Sequence, residues 1–197
     1  MIYQNRTIFI KFVFISKLTQ NQIIIMSSVT LKGTRYSIKD DIPGVDMEAP
    51  DFTFVKGDLS EASLIDDFEG KIKVILAVPS LDTGICQMET KRFNEELQKR
   101  GDKVIGLVIS EDLPFAQSRF CAAEGIENVI TGSDFRYRDF INEYNTEILS
   151  GPMKGLSARA VFVVDTKNKI KYSELVPEIA QEPKYDAALK VVDSLMK

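Results

Sequence analysis

Cys86 closes the run Pro79-Ser80-Leu81-Asp82-Thr83-Gly84-Ile85-Cys86 in a chain that contains no histidine. A cysteine acts as a nucleophile in its thiolate form. Without imidazole, neither a Ser-His-Asp nor a Cys-His arrangement can supply that anion. The remaining sources are the unpaired N–H groups and positive dipole at a helix start, a nearby hydroxyl and a guanidinium. Thr83 stands three residues ahead of Cys86 and can turn its hydroxyl toward the same pocket. Pro79 would stiffen the loop and keep bulk water off the sulfur. Each residue also has a plain structural role available: a free cysteine is commonly a small buried hydrophobe, a proline ends a strand, a threonine caps a helix.

Two further residues bear on this chemistry. Cys121 is the other cysteine. Its helical neighbours are Gln117, Ser118, Glu124 and Gly125, whereas Leu113, Ala116, Phe120 and Ala123 mark an apolar face, so the spacing places the thiol on or near the wet side. Arg159 stands at the start of the apolar run Ala160-Val161-Phe162-Val163-Val164, where an arginine needs an anionic partner. The nearest acid along the strand is Asp165. The partner is either an acid from elsewhere in the chain or the Cys86 thiolate.

The surrounding elements place these side chains. Val29 to Ile38 alternates about Lys32-Gly33-Thr34 as a small β-hairpin, Phe52 to Val55 reads as a strand, and Leu64 to Phe68 as a short helix stopped by Gly70. Lys73 to Val78 is almost continuously apolar, as a strand covered on both faces must be, and a helix follows over about 84–100. Cys86 therefore falls at the start of a helix, at the carboxyl edge of the sheet, where open α/β folds bind ligands. Lys103 to Ser110 is a second buried strand. Asp112 offers an N-cap to the next helix, Pro114 fits its first turn and Gly125 stops it. A short strand near 128–131 and a polar helix around 135–144 follow. Ala160 to Asp165 and Lys169 to Val176 form a hairpin, and a helix over about 184–196 closes the chain. The sum is an α/β, thioredoxin-like fold: a βαβ unit joined to a ββα unit in a mixed central sheet flanked by helices, with an N-terminal β-hairpin. The late hairpin separates it from a flavodoxin-like sheet, which would place a helix between those strands.

Composition bounds the function. At 197 residues, 44% hydrophobic and 27% charged, the chain fits one globular domain. A formal charge of -4 and a pI near 5.1, with no stripe of lysine and arginine, argue against nucleic acid as a partner. Two cysteines and no histidine leave no Cys/His zinc site and no C-x-x-C pair. Residues 1–25 are rich in Ile, Phe, Lys, Asn and Gln and lack Gly, Pro, Asp and Glu. Their apolar runs are too short and interrupted to span a bilayer. They place a basic residue ahead of an apolar stretch, as an export signal does, but lack a small-x-small cleavage site. They are expected to be an extension, disordered or an over-long start, ahead of a domain running from Met26 to Lys197. A cytoplasmic location, without membrane association, is the expectation.

The run from Pro79 to Cys86 matches the P-x-x-x-T-x-x-C signature of peroxiredoxins. The stretches DLPFAQSRFCAAEGIENVI (Asp112 to Ile130) and GPMKGLSARAVFVVD (Gly151 to Asp165) resemble the thiol peroxidase branch, the atypical two-cysteine type. The likeness runs from about Val29 to Leu195. It implies that Cys86 is the peroxidatic cysteine and Cys121 the resolving one, with Pro79, Thr83 and Arg159 completing the active site. It also implies reduction of hydrogen peroxide and alkyl hydroperoxides, a transient intramolecular Cys86–Cys121 disulfide, recycling by thioredoxin, and a homodimer. The chemistry asks for no metal or organic cofactor. If the two helices hold the thiols apart, one or both must fray on each turnover. A thioredoxin-like disulfide oxidoreductase, which the missing C-x-x-C disfavours, and a non-catalytic thiol redox sensor or binding module on the same fold are the alternatives.

Overall fold

The computed structural model describes residues 27–197. The N-terminal extension expected over residues 1–25, and the domain start at Met26, lie outside the described residues. The first element is a hairpin of β1 (Ser28–Leu31) and β2 (Thr34–Ser37). Lys32 and Gly33 at its two-residue turn have φ of 51° and 79°, the positive values that match the twist of a tight hairpin.

Among the described residues the main sheet contains seven strands. In chain order they are β3 (Thr53–Lys56), β4 (Glu61–Ser63), β5 (Ile72–Ala77), β6 (Val104–Ser110), β7 (Ile130–Ser133), β8 (Ala160–Val164) and β9 (Ile170–Leu175). Their order across the sheet is β4-β3-β7-β6-β5-β8-β9. Strands β5, β6 and β7 run parallel, and β8 pairs antiparallel with both β5 and β9. This is the expected βαβ unit joined to a ββα unit. Every residue of β5 is buried, which explains its lack of alternation.

The helices are α1 (Gly84–Gln98), α2 (Pro114–Glu124), the short α3 (Asp139–Glu143) and α4 (Tyr185–Leu195). On one face of the sheet, Val74, Leu76, Val108 and Val161 pack with Phe93 and Leu97 of α1, Phe120 of α2 and Leu189 and Val192 of α4. On the other, Ile75, Leu107, Ile109 and Phe162 pack with Phe54, Phe140 and Tyr144. A third, smaller cluster joins the hairpin residue Val29 to Ile38, Ile148, Ala158 and Ile179. No helix among the described residues is long and apolar enough to cross a membrane.

Several local expectations are corrected. Leu64 to Phe68 forms turns rather than a helix. There the Asp51 and Asp67 carboxylates accept from the Ile65 and Ser63 N–H groups at 3.0 and 2.8 Å, and the Ser63 hydroxyl accepts from Asp66 N–H at 3.2 Å. Such side-chain bonds offer the backbone an alternative to a helical ladder. The α3 helix is shorter than expected, because Arg138 ahead of it sits at φ 57° and interrupts the turn. Strand β7 lies two residues later than read, with Gly132 so close to Phe54 that a Cβ would meet its ring at 2.4 Å. The expected N-cap of α2 is also wrong: Leu113 takes that position, and Asp112 is used elsewhere.

Candidate active site

The site forms where β5 ends. Val78 extends the ladder by donating to the Ile109 carbonyl at 3.1 Å. Pro79 has no N–H to continue it. The loop then turns through Ser80, Leu81 and Asp82 into α1. Thr83 occupies the N-cap position with extended backbone (φ -110°, ψ 142°), and its carbonyl accepts the first helical bond, from Gln87 N–H at 3.0 Å. Its side chain does not cap the helix, and α1 has no acid in its first turn. The N–H groups there are thus left without an intrahelical or side-chain acceptor.

The Thr83 hydroxyl instead lies 2.8 Å from Cys86 Sγ and 3.0 Å from the Ser80 carbonyl oxygen. A hydroxyl has one proton to give. Opposite a thiol it can donate to Ser80 and accept from S–H; opposite a thiolate it donates to sulfur. Arg159 permits no such choice. Its guanidinium can only donate, and Nη2 stands 3.3 Å from the Cys86 sulfur. A charged donor is thus aimed at the sulfur.

Arg159 reaches this point through sheet topology. Ala160, first in β8, pairs with Ala77, last in β5. The antiparallel register therefore puts the residue before β8 at the carboxyl edge of β5, beside the start of α1. The guanidinium is 1% exposed, with Nε and Nη2 donating to the Ile179 carbonyl at 3.3 and 3.2 Å and Nη1 donating to Glu89 Oε2. Burial opposes its charge, but Glu89 and Cys86 outweigh burial and the group is held more firmly protonated than usual. Both partners left open by the sequence are present: an acid from another element and the Cys86 sulfur. Asp165, the nearest acid along the strand, is not among them.

Two residues around the site were not read from the sequence as belonging to it. Glu89 is 0% exposed, and its carboxyl is pushed up to about 7 by burial, against which Arg159 works. Its Oε1 has no hydrogen-bond partner among the described residues. The signal that could have found it is periodicity: Cys86, Glu89, Thr90, Phe93, Asn94 and Leu97 form the buried stripe of α1. Asp112 braces the loop between β5 and α1 from the end of β6. Its carboxylate accepts from the Ser80 hydroxyl, the Leu81 N–H and the Ser110 hydroxyl, each at 2.8 Å. No local pattern announces that role, because its partners Ser80 and Leu81 are distant in sequence.

Cys121 lies near the end of α2, where Gly125, in the left-handed conformation at φ 65°, donates to its carbonyl. The expected wet-side placement is corrected. Pro114, Gln117 and Phe120 form the buried face, while Leu113 and Ala123 are exposed, so the helix is rotated from the phase its apolar residues suggested. Gln117 makes this tolerable by donating to the Ser110 hydroxyl and the Gly132 carbonyl, both at 3.0 Å. The Cys121 thiol is half-buried against the cluster that contains Cys86. Burial pushes it up from the ordinary thiol range, with Thr131 Oγ1 at 3.6 Å working the other way. Both cysteines are free thiols, and neither sulfur lies within hydrogen-bonding reach of the other.

A pocket of about 230 Å3 opens onto this arrangement, lined in part by Pro79, Thr83, Gly84, Ile85 and Arg159. Of the residues singled out in the sequence, Pro79, Thr83 and Arg159 line it, Cys86 lies buried behind Thr83 and Arg159, and Cys121 stands apart. Among the described residues no cluster of three or more metal-ligating side chains occurs.

Comparison with known proteins identifies the family. A profile of the redoxin family matches residues 44–189. A thiol peroxidase of Leptospira interrogans is 50% identical over 173 residues, covering 87% of this chain and all of the relative. The crystal structure of a peroxiredoxin-like protein from Aquifex aeolicus superimposes with a TM-score of 0.80 at 43% identity, over 86% of this chain and 98% of the other. A thiol peroxidase from Chromobacterium violaceum shares the fold, with a TM-score of 0.77 at 23% identity over 85% of this chain and 95% of the other. A buried cysteine at a helix start, a hydroxyl and a guanidinium on its sulfur, and this extent of likeness together place the chain in the redoxin family, among the thiol peroxidases.

Proposed function

We propose that the protein reduces hydroperoxides with Cys86 as the attacking thiolate and Cys121 as the resolving thiol. The observation that carries this reading is the pair of contacts on Cys86 Sγ, 2.8 Å from the Thr83 hydroxyl and 3.3 Å from Arg159 Nη2. The thiolate attacks the terminal oxygen of R–O–O–H in line with the O–O bond. A sulfur–oxygen bond forms as the O–O bond breaks, leaving Cys86 as sulfenic acid and releasing alkoxide, which takes up a proton as the alcohol, or water when R is hydrogen. Negative charge moves from sulfur to the leaving oxygen. Arg159 lines the pocket and also touches the sulfur, so it can follow that charge and favour the transition state over the ground state. Thr83 and the N–H groups at the start of α1 are placed to hold the peroxide.

Cys121 then displaces water from the sulfenic sulfur, forming the Cys86–Cys121 disulfide, and a dithiol of the thioredoxin type restores both thiols and leaves oxidised. The two sulfurs must first come together, which requires local opening of α1, α2 or both. Exposed ion pairs between Lys91 and Glu124, and between Arg119 and Asp82 at 3.9 Å, bridge these two regions. Exposed pairs resist opening only weakly, by about 1 kcal/mol or less each. The domain is taken to run from Met26 to Lys197, working in the cytoplasm as a pair of identical chains. An apolar patch that includes exposed Leu59, Leu113, Phe115 and Phe135 offers such a pair a surface.

The test is intact mass before and after one equivalent of peroxide, followed by a coupled assay with thioredoxin. Loss of two hydrogens and continued turnover are expected. A gain of one oxygen that persists would remove the internal disulfide. Oxidation that never cycles would favour a sensor instead.

A further inference from the structure

Glu111 and Asp134 meet as two acceptors with no donor between them. They directly follow β6 and β7, and the parallel register that pairs Ser110 with Ser133 continues so as to set them side by side. Asp134 N–H donates to the Ser110 carbonyl at 2.9 Å, and the two carboxyls are in hydrogen-bonding contact. Both are withdrawn from water: Asp134 is fully buried, and the Glu111 side chain is 6% exposed. The Asp134 carboxylate accepts from the Phe140 and Ile141 N–H groups of α3 at 3.1 and 2.9 Å. Glu111 Oε2 accepts from Arg138 Nη1 at 2.9 Å, while Oε1, also buried, has no donor among the described residues.

An ionised Glu111 would therefore hold a buried oxygen without a donor beside another carboxylate, which costs both desolvation and repulsion. A proton on Glu111 removes both costs, because the acid O–H then donates to Asp134. Asp134 is the poorer place for that proton, since two backbone N–H groups already favour its anion. Arg138 cannot balance the cluster alone. Its Nη2 also donates to Glu147 at 3.0 Å, so one guanidinium faces three carboxyls, and Asp139 in the first turn of α3 adds its charge against Asp134. The Asp112 carboxylate is engaged elsewhere, by Ser80, Leu81 and Ser110.

That engagement joins the pair to the candidate active site. Asp112, next after Glu111, holds the Ser80 hydroxyl and the Leu81 N–H; the Ser80 carbonyl lies 3.0 Å from the Thr83 hydroxyl, which lies 2.8 Å from the Cys86 sulfur. We propose that Glu111 is a positioning residue: its protonated carboxyl donates to Asp134, ties the end of β6 to the start of α3, and so holds Asp112 and the loop of residues 80–83 in place for Cys86. The positioning role rests on the peroxidase reading above; the shared proton does not.

The test compares kcat/KM for hydrogen peroxide from pH 7 to 9 in the full chain, Glu111→Gln and Glu111→Ala. Burial and Asp134 push the Glu111 carboxyl up to about 8, so the acid O–H is present below that pH and lost above it. Glutamine keeps a donor and cannot ionise. The ratio of Glu111→Gln to the parent should rise about tenfold over this range, and ionisations elsewhere, common to both chains, cancel in it. Glu111→Ala has no donor and should be slower than Glu111→Gln at pH 7. A Gln-to-parent ratio constant within about twofold overturns the proposal, as does alanine matching glutamine throughout. If thermal unfolding shows that Glu111→Gln has lost its fold, Asp134→Asn decides. Its amide can donate to an ionised Glu111, so its ratio to the parent must also rise with pH, and a flat ratio overturns the proposal. The carboxylic-acid stretch in the infrared reads the proton without peroxide. At pH 7 it should be smaller by one carboxyl in the folded variant than in the parent, and equal bands overturn the shared proton. A chain that shows this difference but consumes no peroxide overturns the peroxidase reading and the positioning role, and leaves the proton standing.

Discussion

Cys86 and Cys121 pack against the same hydrophobic cluster, yet their sulfurs meet opposite surroundings. Cys86 is fully buried and has a guanidinium and a hydroxyl on its sulfur; Cys121 is half-buried, with one hydroxyl at 3.6 Å and no cation among its hydrogen-bond partners. Burial alone penalises a thiolate, and at Cys121 it prevails. At Cys86 a charged donor, Arg159 Nη2, stands 3.3 Å from the sulfur. Both sulfurs are withdrawn from water, and what separates them is the set of donors aimed at each.

The contrast can be broken most severely at the sulfurs. Cys86→Ser should abolish peroxide consumption. Cys121→Ser should react once and stop at the sulfenic acid, read by trapping with dimedone and intact mass. Normal turnover of Cys121→Ser with thioredoxin would end its resolving role. Next comes the charge on the guanidinium. Arg159→Met keeps much of the side chain's bulk and removes its donors, and should slow the first oxidation by about 10²–10³-fold, the usual effect of losing one preorganised donor to a developing charge. Stopped-flow oxidation of Cys86 at neutral pH checks it, and a loss below about threefold would mean that Arg159 is chiefly structural.

The smallest effect concerns Glu89. Its carboxyl titrates near 4.5 when unperturbed and near 7 in the fold, so between those values the folded chain holds a proton that the unfolded chain releases. Its contribution to stability is thus fully present below about pH 4.5 and is lost as pH rises toward 7, with a limiting slope of about 1.4 kcal/mol per pH unit. Glu111, pushed up to about 8 by burial and by Asp134, acts in an overlapping window. The difference between the parent chain and Glu89→Gln isolates Glu89. Urea unfolding from pH 5 to 7 should show a shallower fall in the variant, and parallel curves would refute the linkage.

Much of this site could be read from residue order because its first half is local. Thr83 and Cys86 share a strand-to-helix corner, and the apolar run before them places that corner at the sheet's edge. Arg159 could be singled out because a guanidinium at the start of a buried strand demands an anion. Glu89 was findable from the α1 stripe but looked like any acid on a charged helix. Asp112 looked like an N-cap, since nothing nearby reveals that Ser80 and Leu81 lie beside it. The phase of α2 misled because Gln117 is polar by composition and buried by virtue of two hydrogen bonds. Leu64 to Phe68 has helical spacing, but Asp51 and Ser63 capture the Ile65 and Asp66 N–H groups, and Asp67 turns back to the N–H of Ser63.

Residue order by itself determined the alternating elements, the redox-capable pair of cysteines and the absence of imidazole, because periodicity and residue type are properties of the chain before it folds. Tertiary structure decided which charge meets which sulfur. The antiparallel register of β5 and β8 brings Arg159 to Cys86, and packing shields the pair from water, so that one guanidinium at 3.3 Å acts on the sulfur with little screening.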